Sequence, residues 1–281
     1  MPETADKTAH FGGDYVRYWR ERVVASPDGT PASTPQALRS CLPELDLQPG
    51  QTVVDLGCGF GRMLPLLEGE GRSVVGVDLS AEMVDAASVL PYAAVLRGTV
   101  EDTRLPSAWA DRMLCWATFD VAEQEQGWKE LWRVLRPSGR VLLSGKNDLY
   151  RHDDEPALVA ERNAFLKDFP NHFTDVAAIL RADVSWGFRV VRAWGYERRG
   201  DLGEDRRFDL LQDPERPFYE FVFVLERAEG GLFPEHLCGP HSRTMLDLCR
   251  RAGFGEDVAA FARRHREIHG ETFPVQEGAG S

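Results

Sequence analysis

The chain has 281 residues, 43% hydrophobic and 28% charged, a balance that can fill the core of one large domain. Its formal net charge is −12 and its arginine pairs are interleaved with acids, so it lacks the basic stripe of a nucleic-acid binder. No apolar run approaches the roughly 18 residues of a membrane span, and the first residues have neither the basic start nor the apolar core of a signal peptide. The five cysteines (Cys41, Cys58, Cys115, Cys238 and Cys249) form no C-x-x-C pair, so reduced thiols in a cytoplasmic setting are expected, without a zinc site or disulfide framework.

In chain order, Tyr15 to Ala25 is an aromatic-rich helix and Ser26 to Pro35 a loop. A second helix spans Thr34 to Leu42, and "LQPGQ" turns into the strand "QTVVDLG". Helices and strands then alternate: helix "GRMLPLLEGEG", strand "SVVGVDLS", helix "AEMVDAASVL" capped by Ser80, and strand "YAAVLRG". A loop over "VEDTRLPSAWA" leads to strand "DRMLCWATF", helix "QGWKELWRVLR", the turn "PSG" and strand "RVLLSGK". Five strands spaced by helices give an open doubly wound sheet, and an apolar run such as "SVVGVD" indicates cover on both faces.

Beyond Lys146, "EPALVAERNAFLKDF" is an amphipathic helix, followed by a shorter one around Thr174 to Arg181. "WGFRVVRAWGYERRG" and "FYEFVFVLER" are antiparallel strands at the sheet edge. "GPHSRTMLDLCRRAGF" and "EDVAAFARRHREIHG" are two late helices. The expected domains are a helical cover over 1–45, a catalytic domain over 46–228 with its cofactor core at 51–147 and a lid at 148–185, and a helical extension over 229–281.

The stretch "VVDLGCGFGR" carries the chemistry. Glycines at a strand-to-helix turn let backbone approach a ligand closely. The dinucleotide pattern G-x-G-x-x-G is absent, because the glycines are Gly57, Gly59 and Gly61, and Arg62 stands where the third is required. Asp55 would repel a pyrophosphate and attract an ammonium. Asp78 ends the second strand, 19 residues after Gly59, where a carboxylate can accept both ribose hydroxyls. The site therefore suits an adenosine-like ribose and a cationic amine, as in S-adenosylmethionine. A nicotinamide-dependent oxidoreductase is the rival, and the chain has no Y-x-x-x-K for it.

On these residues the sequence resembles the class I S-adenosylmethionine-dependent methyltransferases over roughly Thr52 to Asn147. "VVDLGCGFGR", "VVGVDLSAEMVDAA", "RGTVEDTRLP", "ADRMLCWATFDV" and "ELWRVLRPSGRVLLS" are similar to five of its segments in order, with Ser138 inserted in the last. The resemblance implies a mostly parallel, seven-stranded Rossmann-like sheet with an antiparallel edge hairpin. It also implies S-adenosyl-L-methionine as cofactor, with Asp55, Gly57, Cys58 and Gly59 around the methionine part and Arg62 at its carboxylate. Asp78 would take the ribose; Leu79 and Met83 would line the adenine. Val100 and Glu101 or Asp102 would meet its edge, although Thr99 stands where the family often has aspartate. Trp116 and Ala117 would lie under the methionine chain, with Tyr18 and Trp19 in the cover.

Methyl transfer to nitrogen requires a neutral amine, whereas a hydroxyl acceptor needs a base or a metal. Phe119, after the fourth strand, and Tyr15 are expected beside the methyl group. His172 is the candidate base, with His241 and His152 read as structural and Asp120 as an ammonium contact or a cap. No metal is expected. The acceptor expected is a small-molecule amine, such as an amino sugar or similar specialised metabolite, with O-methylation the alternative and a non-catalytic binding module the rival from another class. No nucleic-acid or membrane partner is expected, and a homo-oligomer contact is assigned to the C-terminal helices.

Overall fold

Runs of valine and leucine bounded by glycine and proline turns dictate the sheet. The computed structural model describes residues 16–17, 36–167, 171–182, 184–231, 233 and 239–270. Within them Thr52–Leu56 (β1), Ser73–Asp78 (β2), Ala94–Arg97 (β3), Ala110–Cys115 (β4) and Leu135–Lys146 (β5) pair in parallel. Phe188–Tyr196 (β6), Arg207–Asp209 (β7) and Glu220–Arg227 (β8) run antiparallel to their neighbours. The sheet order is β3-β2-β1-β4-β5-β8-β6-β7. Chain order reverses between β1 and β4, and such a switch point opens a crevice at the strands' carboxyl ends.

The helices are Gln36–Cys41 (α1), Leu64–Leu67 (α2), Ala81–Ala87 (α3), Gln124–Val134 (α4), Glu155–Leu166 (α5), Val176–Arg181 (α6), Asp201–Glu204 (α7), Arg243–Arg251 (α8) and Val258–His269 (α9). One core cluster surrounds Trp128 with Phe188, Phe221 and Phe223; a second joins Leu38 and Cys41 to Leu142, Tyr196 and Val222. Short polar side chains start the late helices. Asp154 accepts the Ala157 N–H at 3.2 Å, Ser242 that of Met245 at 3.1 Å and Asp257 that of Ala260 at 2.8 Å. The C-terminal pair is anchored by Thr244 Oγ1, which donates to the Tyr150 carbonyl at 2.7 Å, and by Arg243, which pairs with Asp148 and Asp175.

The doubly wound fold expected from the alternation is present, with two corrections. The described residues hold eight strands where seven were expected, because Arg207–Asp209 adds a short edge outside β6. The helix after the glycine turn is reduced to Leu64–Leu67: Pro65 occupies its first turn, and Glu68 leaves the helix in an extended conformation. The two late strands are antiparallel neighbours as expected, with β8 lying between β5 and β6. The expected helix over Tyr15 to Ala25 lies, apart from Val16 and Arg17, outside the described residues.

Candidate functional site

A cleft of about 910 Å³ opens over the carboxyl ends of β1, β2 and β4. The turn after β1 forms its floor. The N–H groups of Gly57 and Cys58 donate to the Val77 carbonyl at 2.8 and 3.1 Å, which pins the turn to the end of β2. Gly57 has φ +78°, and a Cβ there would sit 2.2 Å from Thr118 Oγ1. Gly57→Ala therefore combines a steric clash with a strained backbone. We expect it to lower stability by about 2 kcal/mol or more and to abolish ligand binding in the cleft. A thermal melt with a binding titration checks this, and Thr118→Ala should restore only part of the loss because the φ penalty persists.

Asp78 joins the floor to the wall. Its Oδ2 accepts the Gly59 N–H and its Oδ1 the Ser80 N–H, both at 2.9 Å. Burial pushes its carboxyl above the ordinary range while these backbone donors hold it down. Leu79, Met83 and Val100 supply an apolar wall, with Glu101 at its rim. Glu101 also accepts the Glu123 N–H at 2.7 Å, at the start of α4. Trp116, Ala117 and Thr118 close the far side, and the Ala117 N–H donates to Ser144 Oγ at 2.8 Å.

Most residues singled out in the sequence come together here. Gly57, Cys58, Gly59, Arg62, Asp78, Leu79, Met83, Val100, Glu101, Trp116 and Ala117 all line the cleft. Asp55 does not. It is buried beneath the turn, where Oδ2 accepts the Tyr92 hydroxyl at 2.6 Å, and burial pushes its carboxyl up to about 6. It can act on a ligand through its charge, not by contact. Asp102 is exposed outside the cleft and turned to the Arg104 N–H.

Phe119 is the main correction. It belongs to a 3-10 turn, Phe119–Val121, which aims it into the core against Trp128 with ring centroids 4.4 Å apart. Val121 and Ala122, not Phe119, face the cleft. Tyr15, Tyr18 and Trp19 lie outside the described residues. His172 stands behind the same turn: its backbone N–H donates to the Asp120 carbonyl at 2.6 Å and its Nε2 is 3.7 Å from Glu123 Oε1. His241 packs on Phe165, away from the cleft, with burial lowering its pKa.

Sequence reasoning missed a second polar group beyond that turn. Lys146, the last residue of β5, lies 3.2 Å from Asp120 Oδ2 and 3.0 Å from Glu161 Oε1. Glu161 also accepts from the Tyr219 hydroxyl and, at 2.7 Å, from Asn171 Nδ2. One signal was available. Glu161 interrupts the apolar stripe of Leu158 and Phe165 on α5, and an acid on a core-facing stripe asks for a partner.

Among the described residues, Glu155, His265 and His269 bring three metal-ligand atoms within 4.8 Å. Arg162 Nη1, however, stands 3.4 Å from His265 Nδ1. That contact puts the ring proton on Nε2, which then faces Glu155 Oε1 at 3.4 Å as an N–H. The trio clips α9 to α5.

A family model described as a methyltransferase domain matches residues 54–143. An uncharacterized methyltransferase of Mycobacterium tuberculosis is 34% identical over 122 residues, 43% of this chain and 49% of the relative. A malonyl-[acyl-carrier protein] O-methyltransferase of Erwinia billingiae is 37% identical over 99 residues, 34% of this chain and 39% of the relative. The chain spans about half the length of the mycobacterial relative. A crystal structure of an S-adenosylmethionine-dependent methyltransferase from Mesorhizobium loti aligns at a TM-score of 0.51 and 17% identity, covering 68% of this chain and 98% of that one. The matched family segment, 54–143, stops before Lys146.

Proposed function

We propose, from the premise that residues 54–143 belong to the class I S-adenosylmethionine-dependent methyltransferases, that the chain transfers a methyl group to a small-molecule amine. The observation that carries the cofactor half is Asp78, held at the cleft by two backbone N–H groups. A carboxylate offers about four acceptor sites, so two remain for a ribose diol. Leu79, Met83 and Val100 suit an adenine face and Glu101 its amino edge. The bare turn at Gly57 and Gly59 leaves room for the methionine portion over Trp116 and Ala117, above the Asp55 charge. The residues present therefore fit the group.

When bound, S-adenosylmethionine supplies a methyl group on a cationic sulfur. The chain supplies alignment and dry surroundings, and proximity alone can contribute roughly 7–11 kcal/mol. The Ala117 N–H, fixed by Ser144, holds the end of β4 rigid at the place where donor and acceptor meet. Acids outnumber bases in the chain by 12, and Asp78, Glu101 and the buried Asp55 carry the same sign into the site. These charges favour a cationic acceptor. Transfer to oxygen, as in a small hydroxylated metabolite, is the second reading. The O-methyltransferase among the relatives, whose alignment covers 34% of the chain, supports oxygen as the acceptor atom without pointing to a hydroxyl.

The test is calorimetric titration with S-adenosylhomocysteine, with reduced nicotinamide cofactors alongside, followed by a labelled-methyl assay over paired amines and alcohols. One-to-one binding of the adenosyl ligand alone and label on amines are expected. Silence toward that ligand overturns the cofactor reading, and label on alcohols alone overturns the amine.

A further inference from the structure

The second polar group carries more negative charge than it neutralises. Lys146 bridges Asp120 and Glu161, and Arg199 Nη1 donates to the Tyr219 hydroxyl at 3.1 Å. Glu220 opens β8 directly opposite Lys146 in the β5–β8 register, so both side chains project from one face of the sheet. Three carboxylates, Asp120, Glu161 and Glu220, thus meet two cations, Lys146 and Arg199. His172 Nε2 stands 3.7 Å from Glu123 Oε1.

The two cations are committed. Although burial pulls Lys146 down, the charges of Glu161 and Asp120 hold its pKa well above the usual lysine value, so it stays an ammonium. Burial likewise works to raise Glu161, but Lys146, the Tyr219 hydroxyl and Asn171 keep it ionised. Glu220 is compensated only in part. Burial pushes its carboxyl up to about 7, with Lys146 and Arg199 opposing and Asp120 and Glu161 adding to the shift. It is only half-buried, and among the described residues no hydrogen bond or ion pair involves its side chain.

The group lies one strand step from the cleft. Ser144 precedes Lys146 by two residues on the same face of β5 and accepts the N–H of Ala117, which lines the cleft. Two residues of strand span roughly 7 Å, a gap comparable to the reach of a glutamate side chain. Asp120 sits in the same 3-10 turn as the cleft residue Val121.

We propose that Glu220 is the acceptor contact: its carboxylate pairs with the incoming ammonium and takes one of its protons, while Lys146, held by Asp120 and Glu161, positions it. The N–H bond breaks as an O–H bond forms on Glu220. The freed lone pair makes the N–C bond to the methyl carbon, the C–S pair leaves with sulfur, and the proton passes from Glu220 to water. This rests on the amine reading above and deepens it, since a neutral alcohol would leave the excess charge uncompensated.

Wild type and Glu220→Gln are titrated with S-adenosylhomocysteine, then, with that ligand bound, with tyramine against tyrosol and glucosamine against glucose. Both proteins should bind the adenosyl ligand alike. At least one amine should bind wild type more tightly than its hydroxyl counterpart, tightening as pH rises through about 7, and should bind Glu220→Gln at least tenfold more weakly. Without any ligand, the melting temperature of wild type should fall relative to Glu220→Gln between pH 5 and 8. A raised carboxyl favours the folded state only while protonated, so its contribution is lost as pH rises through about 7.

If neither amine is preferred, or if the variant keeps wild-type amine affinity, the proposal is overturned. If the adenosyl ligand binds neither protein, the cofactor reading fails first, and the pH-dependent difference in melting still judges the excess charge. Should the variant not fold, the pH dependence of amine binding to wild type decides alone, a flat profile through about 7 counting against Glu220.

Discussion

Asp78→Ala should weaken S-adenosylhomocysteine binding by roughly 100-fold or more while the protein still folds. Hydrogen bonds to a charged group contribute about 1.5–3 kcal/mol each, and two ribose hydroxyls would lose their acceptor together. The same substitution frees the N–H groups of Gly59 and Ser80 from their partner. That affects the shape of the turn, so part of the loss comes from a looser cleft. The stability cost should be smaller, about 1 kcal/mol per lost backbone bond and a few degrees of melting temperature, because the Gly57 and Cys58 bonds to Val77 still pin the turn to β2. Asp78→Asn should fall between, since its amide retains only one acceptor oxygen. Affinity within threefold of wild type in Asp78→Ala would sink the ribose assignment, whatever the melting curve shows.

The residues legible in the sequence are those whose neighbours are local. Gly57, Gly59 and Asp78 follow from the ends of two consecutive strands, and parallel pairing of β1 with β2 places them together without further information. Phe119 shows the limit. It follows a strand end that lines the cleft, so adjacency suggested that it would line it too. The 3-10 turn rotates it toward Trp128, while Val121 takes the place at the cleft. A run of "TFDV" does not announce which of its side chains a single tight turn will face inward. Asp55 was visible as an acid, but its tie to Tyr92 arises from the loop before β3 and fixes it below the ligand surface.

The Lys146 group was illegible for a different reason. Its members come from β5, α5, the 3-10 turn, the loop after β6 and the start of β8, and they meet only because β8 lies between β5 and β6. Antiparallel pairing of the two late strands was readable from their spacing; the pairing of β8 with β5 was not. Only Glu161, an acid on the core-facing stripe of α5, hinted that a partner was needed. The polar group around Lys146 is thus assembled by topology, while the cleft suited to the cofactor is written in consecutive motifs.

The largest loss of stability is expected from Lys146→Met. Lys146 is 9% exposed and Glu161 4%, and removing the cation strands the carboxylates of Glu161 and Asp120 in a low-dielectric setting. Breaking one partner from a buried pair costs about 3–5 kcal/mol, which for a chain of this size lowers the melting temperature by roughly 10 °C. The pH dependence should change sign at Glu161. In wild type its carboxyl is held below the ordinary value, so its contribution is present at neutral pH and fades as pH falls. Without Lys146, burial is left to dominate and raises it, so the variant loses stability as pH rises. The gap between the two proteins should therefore widen from pH 5 to pH 8. Lys146→Met combined with Glu161→Gln should recover much of the loss, because the amide can still bond Tyr219 and Asn171. A gap indifferent to pH, or a double variant no better than the single one, would mean that Lys146 acts by packing and not by charge. At a temperature where Lys146→Met remains folded, S-adenosylhomocysteine should bind nearly as in wild type, because Lys146 does not line the cleft. Binding that falls with stability would instead make the group a support of the donor cleft and not a part of the acceptor side.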